Sequence, residues 1–172
     1  MTFDLQPTLT GTLVELVPLR ADDYPVLLEA ASDPLIWEQH PESDRWRADV
    51  FRRFFDGAME SGGAFLVRDR SDGRVIGSTR YAGFDPDARE IEIGWTFLVR
   101  SHWGGRYNGE MKRMMLEHAF QFVDRVLFVI GVNNLRSQRA VERIGGTRTD
   151  RAGVPERDGR VIYVIERTAA KF

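Results

Sequence analysis

The chain has no cysteine among its 172 residues, which excludes disulfides, thiolate nucleophiles and every Cys-ligated metal or cluster site. Lysine is nearly missing too: among 24 basic residues only Lys112 and Lys171 are lysines, so arginine carries the positive charge. Neither sign of charge dominates, because 24 basic and 26 acidic residues leave a net charge of −2. A dedicated nucleic-acid binder would show a basic excess, so no nucleic-acid partner is expected. His40, His102 and His118 share no close ligand spacing, and no metal is expected. Long apolar runs are absent: the longest, Val126 to Val132, is far short of the ~20 residues that span a bilayer. The N-terminus lacks a basic stretch followed by an apolar one, so it does not read as a signal peptide. A cytoplasmic protein without a membrane partner is the expectation. Also missing are the Gly-x-Ser-x-Gly elbow, the P-loop and the Gly-x-Gly-x-x-Gly fingerprint.

What remains is the composition of a folded unit, 42% hydrophobic and 29% charged, at a length that suits a single domain over 1–172. The run Thr12 to Leu19 alternates like a strand and ends near Pro18. Asp22-Asp23 before Tyr24-Pro25 marks a helix start, with Leu27, Leu28 and Ala31 facing inward and Asp33-Pro34 closing it. Trp46, Val50, Phe54 and Ala58 recur at i+4 beside Phe51 and Phe55, which predicts a second helix. Its expected caps are Ser43 or Asp44 at the start and Gly62-Gly63 at the end.

The middle of the chain reads as three antiparallel strands, Ala64 to Arg68, Val75 to Tyr81 and Glu90 to Val99, joined by turns at Ser71-Asp-Gly73 and Asp85-Pro-Asp87. A glycine-containing loop, Ser101-His-Trp-Gly-Gly-Arg106, then enters a helix with Tyr107, Met111, Met114, Met115, His118 and Phe122 on one side. The unbroken apolar run Val126 to Ile130 marks a strand buried on both faces, so strand, helix and strand form a βαβ unit with parallel strands. A short helix from about Leu135 to Ile144 follows, then strands near Thr147 and from Val161 to Glu166, with a turn containing Asp158-Gly159 between them. The predicted class is α+β: a mixed, mostly antiparallel sheet of about seven strands with one βαβ unit and about four helices.

Two segments carry chemistry. Gly104 and Gly105 precede a helix N-terminus, where bare backbone and free N–H groups suit a pyrophosphate or simply make a tight turn. Asn133-Asn-Leu-Arg-Ser137 begins at the end of the buried strand. There Asn134 either caps the next helix or bonds a ligand amide, with Ser137 facing the same cleft. In Glu90-Ile-Glu-Ile-Gly94, a period of two puts Ile91 and Ile93 on one face and Glu90, Glu92 and Gly94 on the other.

The order of elements and the segments Glu92-Ile-Gly-Trp95, Trp103-Gly-Gly-Arg-Tyr-Asn-Gly-Glu110, Asn134-Leu-Arg-Ser137 and Glu142-Arg-Ile-Gly145 resemble the GNAT N-acetyltransferases over nearly the whole chain. Val14 to Arg20, Asp33-Pro34 and Trp37 further resemble the branch containing the ribosomal-protein N-terminal acetyltransferases. The resemblance implies transfer of an acetyl group from acetyl-CoA, as co-substrate, to a primary amine, either a protein N-terminus or a small amine. It implies that Gly104, Gly105, Arg106, Tyr107, Asn108 and Gly109 hold the CoA pyrophosphate, that Phe97, Leu98 and Val99 meet the pantetheine arm, and that Asn134 and Ser137 also contact the cofactor. Glu92 resembles the general base, and Ser137 is the candidate acid, with Tyr107 its rival. Trp37 and Trp95 are candidates for the acceptor pocket, and a homodimer is consistent with the family. The chain departs from the usual loop at Arg106, which stands where the family has a second Gly or Ala. That side chain either turns to solvent, contacts a CoA phosphate, or fills the cradle; the last would make the protein a non-catalytic acyl-CoA-binding sensor.

Overall fold

The computed structural model describes residues 2–150 and 159–170. Eight strands form one sheet in the order β1-β2-β3-β4-β5-β6-β8-β7, with four α-helices among the described residues. The strands are β1 (Leu9–Thr10), β2 (Val14–Pro18), β3 (Ala64–Asp69), β4 (Val75–Asp85), β5 (Glu90–Leu98), β6 (Arg125–Gly131), β7 (Thr147–Arg148) and β8 (Arg160–Glu166). The helices are α1 (Tyr24–Ala31), α2 (Ala48–Ser61), α3 (Arg106–Ala119) and α4 (Leu135–Arg143). Every pairing is antiparallel except β5 with β6, the pair that flanks α3.

The sheet separates two apolar layers. One packs α3 and Val141 of α4 against Val14, Ile91, Ile93, Val126 and Ile165; the other packs α1 and α2 against Leu66 and Phe97. The alternation in β5 is realised as its sequence implies: Ile91 and Ile93 are buried in the α3 layer, whereas Glu92 and Gly94 are half-buried. α3 is tied to the sheet edge by Glu110, whose carboxylate accepts the backbone N–H groups of Thr12, Leu13 and Val14 at 2.8, 2.7 and 2.9 Å.

The sheet of about seven strands is realised with one more, Leu9–Thr10, which is too short to carry a period. Three expectations need correction. Trp46 lies outside α2 and is 40% exposed, not on its inner stripe; the helix starts at Ala48 with Arg47 as its N-cap residue, so Ser43 and Asp44 do not cap it. Phe122 lies beyond the end of α3, and stacks on Phe3 with ring centroids 4.6 Å apart. The C-terminal boundary of α2 is as expected, Gly62 closing it at φ 63°. Of the turn at Asp158-Gly159, Asp158 lies outside the described residues.

Candidate active site

β5 and β6 pair for only three residues, Glu90–Glu92 with Arg125–Leu127. Beyond Glu92 the two strands part. A bulge contributes to this: Ser78 faces Phe97 but Arg80 faces Gly94, so Thr79 of β4 opposes two residues of β5, Trp95 and Thr96, and Trp95 adopts φ 49°. The extra residue changes the alternation. Thr96 now sits with Thr79 on the α3 side, and Trp95 and Phe97 both join the α1–α2 layer.

The parting strands leave a cleft of about 250 Å³, walled by Gly94 to Leu98 on one side and Phe128 to Gly131 on the other. The turn at Gly104 and Gly105, the first turn of α4, and Trp37, His40, Pro41 and Arg45 complete its lining, and Arg136 bridges the last two groups, its backbone N–H donating to Gln39 Oε1 at 3.3 Å and its guanidinium to Ile36 O at 3.5 Å. Gly104 and Gly105 have φ 111° and 99°, values that side chains strain to adopt. A Cβ on Gly104 would meet nothing within 4 Å, so backbone conformation rather than crowding requires glycine there. The N–H groups of Arg106, Tyr107 and Asn108 precede the first intrahelical bond, Gly109 N–H to Gly105 O at 2.8 Å, and no side chain caps this end. Bare backbone, uncapped amides and a helix dipole make a cradle that fits a pyrophosphate.

Of the expected site residues, Phe97, Leu98, Gly104, Gly105, Asn108, Asn134, Ser137, Trp37 and Trp95 line this cleft. Glu92, Val99, Arg106, Tyr107 and Gly109 do not. The Val99 amide is committed to Ile76 O at 2.8 Å, and the Leu98 carbonyl accepts the Trp103 indole N–H at 2.9 Å. Arg106 is exposed, off the cleft wall. The Tyr107 ring packs edge-on against His102, centroids 4.6 Å apart. Asn134 caps α4, its Oδ1 accepting the Ser137 N–H at 3.2 Å, while both residues face the cleft. Trp37 is 2% exposed and donates its indole N–H to Ala31 O at 2.8 Å, so it belongs to the core and to the cleft wall at once. Glu92 lies on the α1–α2 side of β5, within the field of the Arg80 guanidinium, and its Oε1 is 3.3 Å from where a Cβ on Gly94 would stand.

Several cleft residues were not singled out from the sequence. Arg143 reaches to 4.0 Å from the Cβ position of Gly105, and Arg136 lies over the Trp103 ring at 3.9 Å. Lys112 is 5% exposed, with Nζ donating to Thr96 Oγ1 at 2.6 Å and Thr79 Oγ1 at 3.3 Å; burial lowers its pKa to about 7. Arg45, in the cleft wall, and Arg80, outside it, are each 6% exposed, with guanidinium carbons 4.8 and 5.5 Å from the Phe54 ring centroid. Burial, then the Arg45 charge, lowers the Arg80 pKa to about 10, and burial and Arg45 together lower His40 to about 4. His102 is held on both nitrogens, by Asp69 Oδ2 at 2.7 Å and Ser101 Oγ at 2.9 Å, a structural role that fixes the start of the glycine turn. Among the described residues, no group of three His, Asp or Glu side chains could hold a metal ion, and no helix is long and apolar enough to cross a membrane.

Comparison with known proteins agrees with this geometry. The sequence model of the acetyltransferase (GNAT) domain matches residues 14–147. Among solved structures, the chain is similar to a GCN5-related N-acetyltransferase from Brucella melitensis, with 21% identity and a TM-score of 0.81 over 95% of this chain and 80% of that one. It is also similar to RimJ of Mycobacterium smegmatis in complex with CoA-disulfide, with 18% identity and a TM-score of 0.71 over 94% and 88%. A GNAT-family acetyltransferase from Bacillus anthracis gives 18% identity and a TM-score of 0.74 over 94% and 99%. No curated protein matches the chain. A match spanning residues 14–147, from β2 through the glycine turn and α4, covers both parting strands and the rim of the cleft, and the chain belongs to the GNAT family of acetyltransferases.

Proposed function

We propose that the protein moves an acetyl group from acetyl-CoA to the nitrogen of a primary amine by direct attack. The observation that carries this reading is the short β5–β6 pairing: three paired residues, then a cleft lined by the glycine turn before an uncapped helix, by tryptophan and by arginine. The amides of α3 and the nearby Arg143 would hold the pyrophosphate, and the parted strands would take the pantetheine arm and the thioester.

The amine arrives as an ammonium and must lose a proton before it attacks. Glu92 is the candidate base; it stands off the cleft wall, so the proton would pass through a bridging water. The amine lone pair then bonds to the thioester carbonyl carbon, and the negative charge collects on the carbonyl oxygen. Collapse re-forms the carbonyl and breaks the C–S bond, and the CoA thiolate leaves with the electron pair. The nitrogen loses its second surplus proton as the carbonyl re-forms, and Ser137, on the first turn of α4 and lining the cleft, would relay it, giving its hydroxyl proton to the sulfur and taking the one the nitrogen sheds. The sensor alternative required Arg106 to fill the phosphate cradle, and an exposed Arg106 off the cleft wall supports the enzyme instead.

A thiol-release assay with acetyl-CoA and a panel of primary amines tests this. Release that depends on an amine, with the acetylated amine recovered in equal amount, is the expected result. CoA binding without turnover of any amine would restore the sensor reading.

A further inference from the structure

Among the described residues, Lys112 is the only amine that lines the cleft; the chain's other lysine, Lys171, lies outside them. Its side chain rises from α3 to the place where β5 and β6 part. Nζ is 2.6 Å from Thr96 Oγ1, in the β5 wall, and 5.8 Å from the ring centroid of Phe128, the first residue of β6 beyond the last pair, Glu92 with Leu127. β4 contributes Thr79, whose Oγ1 accepts from Nζ at 3.3 Å. The neighbouring strands thus offer it two hydroxyls and an aromatic ring. No acidic or basic side chain acts on it, and burial alone lowers its pKa to about 7.

An ammonium group brings three N–H donors and a charge to satisfy; a neutral amine brings two donors and a lone pair. Two threonine oxygens answer two donors, and no carboxylate answers a charge. The hydroxyls have acceptors of their own, Gly94 O at 3.4 Å for Thr96 and Met115 Sδ at 3.5 Å for Thr79, so neither needs the amine's lone pair. A desolvated lysine of this kind is a nucleophile, which the guanidinium groups in the cleft, always protonated, are not. On the function proposed above, the thioester of bound acetyl-CoA would lie between the same two strands. Resting on that placement, we propose that Lys112 is a self-acetylation site, Nζ taking the acetyl group when no acceptor amine occupies the cleft. The Nζ lone pair bonds to the thioester carbonyl carbon, and the carbonyl electrons move to oxygen. Collapse breaks the C–S bond, the thiolate leaves with the electron pair, and the proton shed by Nζ ends on that sulfur. The products are an acetyl-lysine amide and the free thiol of CoA. An amide does not pass its acetyl group on to an amine, so the modification is a side branch that adds bulk to the cleft floor, not a step of turnover.

The test is peptide mapping of the wild-type protein after incubation with acetyl-CoA and no amine, with Lys171 as the internal reference. Lys112 should gain one acetyl group at least roughly tenfold faster than Lys171, because the cleft holds donor and amine together. Excess free CoA, which competes for the cleft, should suppress labelling of Lys112 and leave that of Lys171 unchanged. Acetyl phosphate, a donor without the CoA moiety, should show no preference for Lys112. An unmodified Lys112 in a protein whose melting temperature rises with acetyl-CoA would overturn the inference. So would labelling of both lysines at one rate, untouched by CoA. The two readings fail separately: amine-dependent thiol release with Lys112 unlabelled sinks self-acetylation alone, and labelled Lys112 without turnover of any amine sinks the acceptor reaction alone. Neither a rise in melting temperature nor a label would remove acetyl-CoA from the cleft and both readings with it.

Discussion

Lys112 Nζ donates to Thr96 Oγ1 at 2.6 Å, joining α3 to the bulged half of β5, and both residues line the cleft. The contact depends on the bulge, because an unbroken alternation would turn Thr96 to the other side of the sheet. Burial lowers the Lys112 pKa to about 7. The unfolded chain therefore binds more protons than the folded one between about pH 7 and the ordinary lysine value near 10.5, and stability rises with pH through that window.

The first prediction follows. The melting temperature of the wild type should climb between pH 7 and pH 9.5 relative to that of Lys112→Met, and at pH 6 the variant should be the more stable of the two. Parallel melting curves for the two proteins across this range would mean that Lys112 stays charged and fully compensated when folded.

A second prediction concerns the glycine turn. Gly104→Val places a branched side chain at φ 111°, a strain of about 1–2 kcal/mol, and so shifts the turn that presents the amides. The variant should lose most of the melting-temperature rise that millimolar CoA gives the wild type. An undiminished rise would remove these amides from the phosphate site.

Arginine 106 and arginine 143 make a paired prediction. Arg106 is exposed and off the cleft wall, whereas Arg143 lines the cleft and reaches toward Gly105. Arg143→Ala should weaken CoA binding by roughly 1–2 kcal/mol and flatten its salt dependence; Arg106→Gly should change it by less than about 0.5 kcal/mol. Calorimetric titration with CoA at two salt concentrations separates them, and a larger loss from Arg106→Gly would move the phosphate contact to that side chain.

Glu92→Gln keeps the shape of the side chain and removes the proton acceptor. The turnover number should fall by roughly 10²–10³-fold with CoA binding unchanged. A variant within a few-fold of wild type would assign proton removal to another group.

The features readable in the sequence were local ones. Period two in Glu90-Ile-Glu-Ile placed β5 correctly, and the adjacent glycines before an amphipathic stretch marked the start of α3. What escaped was set by contacts distant along the chain. Lys112 stands one position from the buried Met111 and reads as the polar flank of the helix; the bulge at Trp95 adds the Thr96 hydroxyl to that of Thr79 within its reach. Arg45 lies in a segment without period, and reaches the cleft through contacts far along the chain or irregular in spacing: its guanidinium lies against the Trp37 and Phe54 rings, and Pro41 approaches so closely that a Cβ on Gly131 would stand 2.8 Å from it. Trp46 was over-read for the complementary reason: a spacing of four continues past a helix end as readily as within it, and the backbone becomes helical only at Ala48.

Glu110 gives the glycine turn a mechanical footing. One carboxylate gathers three consecutive amides of the β1–β2 edge, four residues after α3 begins. The helix end that would meet the phosphates is thereby clamped to the far margin of the sheet before any ligand arrives, and its amides stand already aligned. Ordering that many binding systems complete only on association is here completed during folding, so the affinity of the cradle is not eroded by a loss of chain freedom on docking.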